Sequence, residues 1–344
     1  MPPAKHQRYC AEGAVPLIDV EGTAQECGRY LGYVWAEQLR HAAARCPANS
    51  RPFWTDKRFG KLVSNRAPHL PQIYQAMAKG AGVPEDQIAT RAPAEDPGCT
   101  SFAIQPQATH DGIPISGQTK DTPVSRIFQY QVLRMKMSDA PSALTLTYEG
   151  WLFGHGFVEG GCSIFRNSLY AGDGDGLLSY AVWGLLVLHC ESVDQVIKMT
   201  RDHGVHFGFH ATVADEHGGI VGVELTRDGA AFLKPKRGIY THANAVVANK
   251  RSARHEKCGP LFKRKDSLHR QTRLHDRLAE QRGRLTAQLA LMAMVDHDGY
   301  PTSLCRHQGP QATTGAAVVV EPTRGALHVT RGSPCQNWPH SYRL

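Results

Sequence analysis

The chain has 344 residues, of which 41% are hydrophobic and 20% charged, with a formal net charge of +8. This is an ordinary composition for a soluble globular chain, long enough for one large domain or two smaller ones. The N-terminus Met1-Pro2-Pro3-Ala4-Lys5-His6 lacks the apolar stretch of a secretory signal. The longest apolar-rich run, Ala181 to Cys190, is too short to cross a bilayer, so a cytoplasmic protein with no membrane partner is expected.

In chain order, residues 23–46 read as an amphipathic helix opened by Thr23 and Glu26 in a capping-box pattern. A second helix is expected over 72–79, ended by Gly80, so the first 90 residues look mainly helical. After a loop at 91–98 the character changes to short strand-like runs at 100–105, 113–117 and 143–148. Helices are expected at 177–188 and 193–202, the latter capped by Ser192. Strands return at 210–214, 220–225, 230–233 and 239–242, helices between His269 and Val295, and a hairpin at 316–330. The alternation suggests helices layered over antiparallel sheets.

The nine cysteines include no Cys-x-x-Cys pair, which argues against a disulfide framework or a zinc ribbon and leaves most as reduced, packed thiols. Charge is concentrated. Residues 250–284 hold twelve Lys/Arg against four Asp/Glu, a surplus of eight that equals the surplus of the whole chain. Such a block attracts nucleic acid, an anionic membrane or a phosphorylated substrate, although a solvated helical face is commoner, and no aromatics interleave after Phe262.

The dipeptide Gly98-Cys99 carries the most chemistry. A Cys after Gly can attack the Gly carbonyl by an N-to-S acyl shift and emerge as a new N-terminus. With reference values of about 8 for an α-amine and about 8.5 for a thiol, the freed amine can serve as the base for its own thiol. Alone, the dipeptide is more often a buried structural cysteine. Three further segments accompany it in order: Gly117-Gln118-Thr119-Lys120-Asp121, Thr241-His242-Ala243-Asn244 and Tyr300-Pro301-Thr302-Ser303-Leu304-Cys305-Arg306.

Together with Asp96-Pro97-Gly98-Cys99-Thr100-Ser101, these segments resemble the signatures of the isopenicillin-N acyltransferase (acyl-coenzyme A:6-aminopenicillanate acyltransferase) family of N-terminal nucleophile hydrolases. The resemblance implies an α+β fold, a four-layer αββα sandwich with a mainly helical N-terminal segment. It implies self-cleavage between Gly98 and Cys99 into a segment 1–98 and a catalytic chain 99–344, with Cys99 as nucleophile. Gly98 suits the scissile position because it lacks a Cβ and tolerates a strained backbone. By the same resemblance Asp121 holds the α-amine, Arg306 pairs bidentately with Asp121, and Asn244 donates to the oxyanion, with Asn249 close enough in sequence to be confused with it. Two positions depart from the family pattern: Lys120 stands where Trp is common, and Ala245 where a second His is common.

The expected function is therefore a self-processing amidohydrolase or acyltransferase of secondary metabolism that acts through a Cys99 acyl-enzyme. Its partners are a small-molecule acyl donor, an amide or thioester, and an amine or water acceptor. No cofactor and no nucleic acid are required, and a coenzyme A thioester is one possible donor, its phosphates meeting the 250–284 block. The rival reading is a non-catalytic basic binding protein that uses the 250–284 block for nucleic acid. No metal is expected. The His203, His206 and His210 spacing is interrupted by Gly204 and Gly208, Asp296-His297-Asp298 reads as a helix-ending loop, and Gly172 to Gly176 lacks a later bidentate Glu.

Overall fold

The computed structural model describes residues 5–9, 13–46, 52–56, 59–88, 98–148, 150–152, 154–170, 180–204, 208–257 and 261–344. The expected loop at 91–97, His206, residues 172–176 and the first turn of the helix expected at 177–188 lie outside the described residues.

Among the described residues the strands form two sheets. The larger contains β1 (Lys5–Tyr9), β2 (Leu17–Gly22), β5 (Tyr130–Met137), β6 (Ala143–Tyr148), β7 (His155–Val158), β8 (Ser163–Ser168), β9 (Phe209–Ala214), β10 (Ile220–Thr226) and β11 (Gly229–Leu233), in that spatial order. The smaller runs β12 (Ile239–His242), β3 (Gly98–Ile104), β4 (Ile115–Thr122), β13 (Thr313–Glu321), β14 (Ala326–Val329), β15 (His340–Arg343). Neighbours are antiparallel except β2 and β5, which run parallel. The N-terminal segment is thus not purely helical: β1 and β2 complete one edge of the larger sheet. Their short runs mix charged with apolar residues, which hides the strand period.

Helices cover the outer face of each sheet. The helices α1 (Ala24–Val34), α4 (His69–Ala81), α5 (Tyr180–Leu188) and α6 (Val193–His203) bury Leu31, Ile73, Leu186 and Val196 against Ile18, Val20, Leu133, Val213 and Val223. On the other side α8 (Arg264–Ala279) and α9 (Ala287–Ala293) bury Leu274, Leu278 and Leu291 against Phe102, Ile104 and Val319. Between the sheets, Val132, Leu144, Leu146 and Phe165 meet Ala316, Val318 and Val320. Residues 316–320 show the pleat directly: even-numbered side chains enter the inter-sheet core and Ala317 and Val319 face the helices. The result is an αββα sandwich, as expected.

Several local signals match their sequences. Thr23 and Glu26 form the reciprocal capping box of α1, and Ser192 accepts from Gln195 N at the start of α6. The expected helix over 23–46 breaks at Trp35, and α2 (Ala36–Ala43) continues it. Gly80 does not end α4. That helix runs on to Ala81 and stops at Gly82, whose left-handed backbone (φ 66) forms the C-cap. Gly80 serves packing instead: Gly28, Gly32 and Gly80 line the α1/α4 crossing, and a Cβ on any of them would run into backbone of the opposite helix. Of these residues, none is required by turn geometry. The two helices simply approach too closely for a side chain.

Candidate active site

β3 carries Gly98 and Cys99 at its start, paired across the ladder with Asp121 and Lys120 of β4. Because side chains alternate along a strand, Cys99 and Ser101 face the larger sheet, whereas Thr100 and Phe102 face α8 and α9. Cross-strand partners share a face, so Lys120 and Gln118 project with Cys99 between the sheets, and Asp121 projects towards α8. One strand pair thereby distributes the site over two layers.

On the inter-sheet side, Cys99 is buried and its Sγ lies 3.7 Å from the Arg166 carbonyl, which also accepts from Gln118 Nε2 at 2.6 Å. Lys120, Arg166 and His155 are all buried nearby. Arg166 stacks over Trp151 at 4.3 Å and donates to Gly154 O. Burial, reinforced by Lys120 and Arg166, holds His155 neutral with its pKa far below the ordinary histidine value.

Asn244 bridges the two halves. Its Oδ1 accepts from the Cys99 amide at 3.0 Å, its Nδ2 lies 3.4 Å from Cys99 Sγ, and the same Nδ2 donates to Ser168 O at 3.0 Å. The side chain is therefore fixed at both ends. Its backbone N–H donates to Ser267 of α8 at 2.8 Å. Glu224 pins the loop just beyond, accepting from His242 Nε2 at 2.9 Å, Val247 N at 2.7 Å and Ala248 N at 2.9 Å. Burial alone would raise the Glu224 pKa, but His242 and the two amides outweigh it and hold the carboxyl below its ordinary value. Asn249 stands apart from the site, with its Oδ1 capping the short helix α7 (Lys250–Ala253) through Arg251 N and Ser252 N.

On the helix side, Asp121 Oδ1 accepts from Thr314 at 2.9 Å. Its Oδ2 lies 3.6 Å from Arg306 Nη1 and 3.8 Å from Arg270 Nη1, and has no hydrogen-bond partner among the described residues. The expected bidentate fork between Arg306 and Asp121 is not formed. Arg306 turns its Nη2 to Leu261 O at 2.6 Å and its Nε to Gln308 Oε1 at 3.1 Å. Gly98 packs directly over this pair. A Cβ there would lie 2.6 Å from Arg306 Nη1 and 2.7 Å from Asp121 Oδ2. Its backbone lies in extended strand and not at positive φ, so the requirement for glycine is spatial and not one of backbone strain.

Arg270 is the site residue that sequence reasoning missed. It donates from Nη1 to Cys99 O at 3.0 Å and Thr100 Oγ1 at 2.6 Å, and from Nη2 to Asn244 Oδ1 at 2.9 Å. Burial lowers its pKa from the usual arginine value, with Asp121 acting in the opposite direction and Arg306 reinforcing the shift. The signal in the sequence was helical periodicity: Ser267, Arg270, Leu274 and Leu278 form the buried face of α8, so Arg270 occupies a core position within a charged run. The rest of the 250–284 block is largely a solvated face, with Arg264 paired to Glu256, Arg273 to Asp296 and Arg277 to Glu280.

The chain from residue 161 to 334 matches the family model described as acyl-coenzyme A:6-aminopenicillanic acid acyl-transferase, a span of half the chain. The chain belongs to that family. Asn244, Arg270 and Arg306 fall inside the matched span, whereas Gly98, Cys99 and Asp121 precede it, with Cys99 joined to it by hydrogen bonds and Asp121 by ion pairs. Family membership makes this an enzyme of the acyltransferase and acylase type.

Among solved structures the chain is similar to a variant of conjugated bile acid hydrolase from Clostridium perfringens, with 13% identity over 72% of this chain and 97% of that one and a TM-score of 0.47. It is also similar to penicillin V acylase from Agrobacterium tumefaciens, with 11% identity over 72% of this chain and 86% of that one and a TM-score of 0.49. No curated protein matches the chain in sequence. No helix among the described residues is long and apolar enough to cross a membrane.

His210, whose spacing from His203 and His206 suggested a metal ligand, is buried between the sheets, where Nδ1 meets Asn167 at 3.0 Å and Nε2 meets Tyr240 at 2.9 Å. Burial, with neighbouring His242 adding to it, holds its pKa far below the ordinary value. His203 ends α6 on a different layer. His203 and His210 form no common ligand set.

Proposed function

We propose that this member of the family is a self-processing N-terminal cysteine amidohydrolase or acyltransferase. One observation carries the reading: the single side chain of Asn244 touches both the Cys99 amide nitrogen, which would become the α-amine, and the Cys99 thiol.

In the processing step, Cys99 Sγ attacks the Gly98 carbonyl carbon, the Gly98–Cys99 C–N bond breaks, and the thiol proton passes to the departing amine. Water then cleaves the Gly98 thioester, giving a Gly98 carboxylate and restoring the thiol. Asp121 Oδ2, which has no hydrogen-bond partner among the described residues, faces the Gly98 position and is the natural acceptor for the new α-ammonium. Segment 1–98 and catalytic chain 99–344 would be the products.

In the catalytic cycle, the thiolate attacks an amide or thioester carbonyl to form an acyl-enzyme, and water or an amine accepts the acyl group. Asn244 Nδ2 donates to the oxyanion. Arg270 and Arg306 flank Asp121 beside the Cys99 backbone, where they would hold the carboxylate in place. A coenzyme A thioester fits as donor because exposed Lys263 and Lys265 lie at the start of α8, the helix that carries Ser267 and Arg270, two partners of Asn244.

Intact-mass measurement of the purified protein tests the reading. Two fragments meeting at 98/99 are expected from the wild type and a single chain from Cys99→Ala. A folded wild-type chain that stays whole, or a Cys99→Ala variant that retains acyl-transfer or amidase activity, overturns it.

A further inference from the structure

Away from Cys99, four side chains converge: His297, Cys305, His307 and Cys335 bring one ligand atom each to within 4.8 Å of all the others. His297 Nε2 lies 3.3 Å from His307 Nε2, Cys305 Sγ 3.5 Å from that nitrogen, and Cys335 Sγ 3.4 Å from it. Hydrogen bonding does not account for the cluster. A ring nitrogen offers one hydrogen or one lone pair, and here three groups approach His307 Nε2 together. Tetrahedral zinc does account for it: with Zn–N of about 2.0–2.1 Å and Zn–S of about 2.3 Å, neighbouring nitrogens fall about 3.3 Å apart and nitrogen and sulfur about 3.5 Å apart.

The fold prepares this convergence. The loop after α9 carries His297, Cys305 and His307, and it is curled by Cys305 N donating to Asp296 O at 3.0 Å and His307 N to Pro301 O at 3.0 Å. Cys335 arrives from the segment between β14 and β15, which Ser333 anchors to Thr314 O at 2.9 Å. Neither cysteine is in a disulfide. Two segments far apart in sequence thus meet through four donors.

We propose that His297, Cys305, His307 and Cys335 bind a zinc ion as a closed structural centre that ties the C-terminal segment to the loop carrying Arg306. Two soft thiolates and two imidazoles are a donor set that zinc favours, and four protein ligands leave no open position for substrate or water. As each S–Zn bond forms, the thiol proton goes to solvent. The two thiolates balance the dication, so the centre adds no net charge beside Arg306 and Asp121. It holds Arg306 by fixing residues 305 and 307 on either side, a positioning role.

Elemental analysis of the untagged full-length protein, followed by cobalt substitution, tests the assignment. Equimolar zinc is expected, with the visible absorption of thiolate-ligated tetrahedral cobalt after exchange. Cys335→Ser and His297→Ala each lose the metal on dialysis, and Cys99→Ala retains it, which separates this site from the proposed nucleophile. Wild-type protein that holds no zinc after exposure and dialysis, cobalt spectra without tetrahedral thiolate bands, or a native Cys305–Cys335 disulfide in peptide mapping overturns the proposal.

Discussion

Gly98 lies so close to Asp121 that a Cβ on the glycine would sit 2.7 Å from the carboxylate Oδ2. That position essentially no real side chain occupies, and the other side is closed by Arg306. Gly98→Ala is therefore expected to push Asp121 and Arg306 apart and slow processing, and Gly98→Val to slow it further. Time-resolved intact-mass analysis of freshly expressed protein checks this. Equal processing by all three chains would show that the cleavage geometry tolerates what the packing does not.

Asn244→Ala removes a donor beside the thiol and the acceptor for the Cys99 amide. On the proposed oxyanion role, loss of this donor raises the barrier by about 2.7–4 kcal/mol, so kcat should fall about 100- to 1,000-fold on any acyl donor. The measurement is steady-state kinetics on protein already processed as wild type, or assembled from separately made fragments. Asn249→Ala, which removes only a helix cap, should leave kcat within a few fold.

Arg270 binds Cys99 O, Thr100 Oγ1 and Asn244 Oδ1 with one planar fork. A lysine keeps the charge but not that geometry. Arg270→Lys should lower kcat at least about tenfold with a smaller effect on KM, since hydrogen bonds to charged groups contribute about 1.5–3 kcal/mol. If KM rises while kcat holds, Arg270 contacts substrate instead of orienting the nucleophile.

Cleavage at 98/99 should not release the N-terminal segment. The strand β2 pairs in parallel with β5, and α1 and α4 are part of the core over the larger sheet. The two fragments are expected to co-elute in size-exclusion chromatography and to separate only in denaturant. Gly32→Ala attacks the same interface by driving a methyl into the Met77 backbone. Overpacking of this kind typically costs about 1–3 kcal/mol, visible as a lowered Tm.

Buried histidines set the acid limit of stability. Burial, with His69 beside it, brings His189 from 6.5 down to about 4, and His155 and His210 are also held neutral. Between about 4 and 6.5 the unfolded chain binds protons that the folded chain refuses. Unfolding free energy should therefore fall as pH drops through that window, by up to about 1.4 kcal/mol per pH unit for each such histidine. Urea titrations at successive pH values check the slope. Stability that stays level from pH 6.5 to 4 would contradict the buried, neutral assignment.

The sequence by itself determined what is local. Thr23 with Glu26 opens α1 and Ser192 opens α6, because a cap needs only residues three apart. Strands 143–148 and 239–242 carry enough β-forming residues to be placed to the residue. The order of Gly98-Cys99, Asp121, Asn244 and Arg306 pointed to one site before any of them could be placed in space. What the tertiary structure alone decided are relations between segments separated along the chain. Helical spacing put Arg270 on a buried face, but only the crossing of α8 over β3 turns that face towards Cys99. Gly80 read as a helix stop because a glycine's local preference is visible and the backbone of α1 lying against it is not. His297 read as a loop residue, and Cys335 as a packed thiol, until the chain closed on itself and brought them to Cys305 and His307. Local propensity is encoded in neighbouring residues, whereas the meeting of distant side chains is set by sheet register and layer packing.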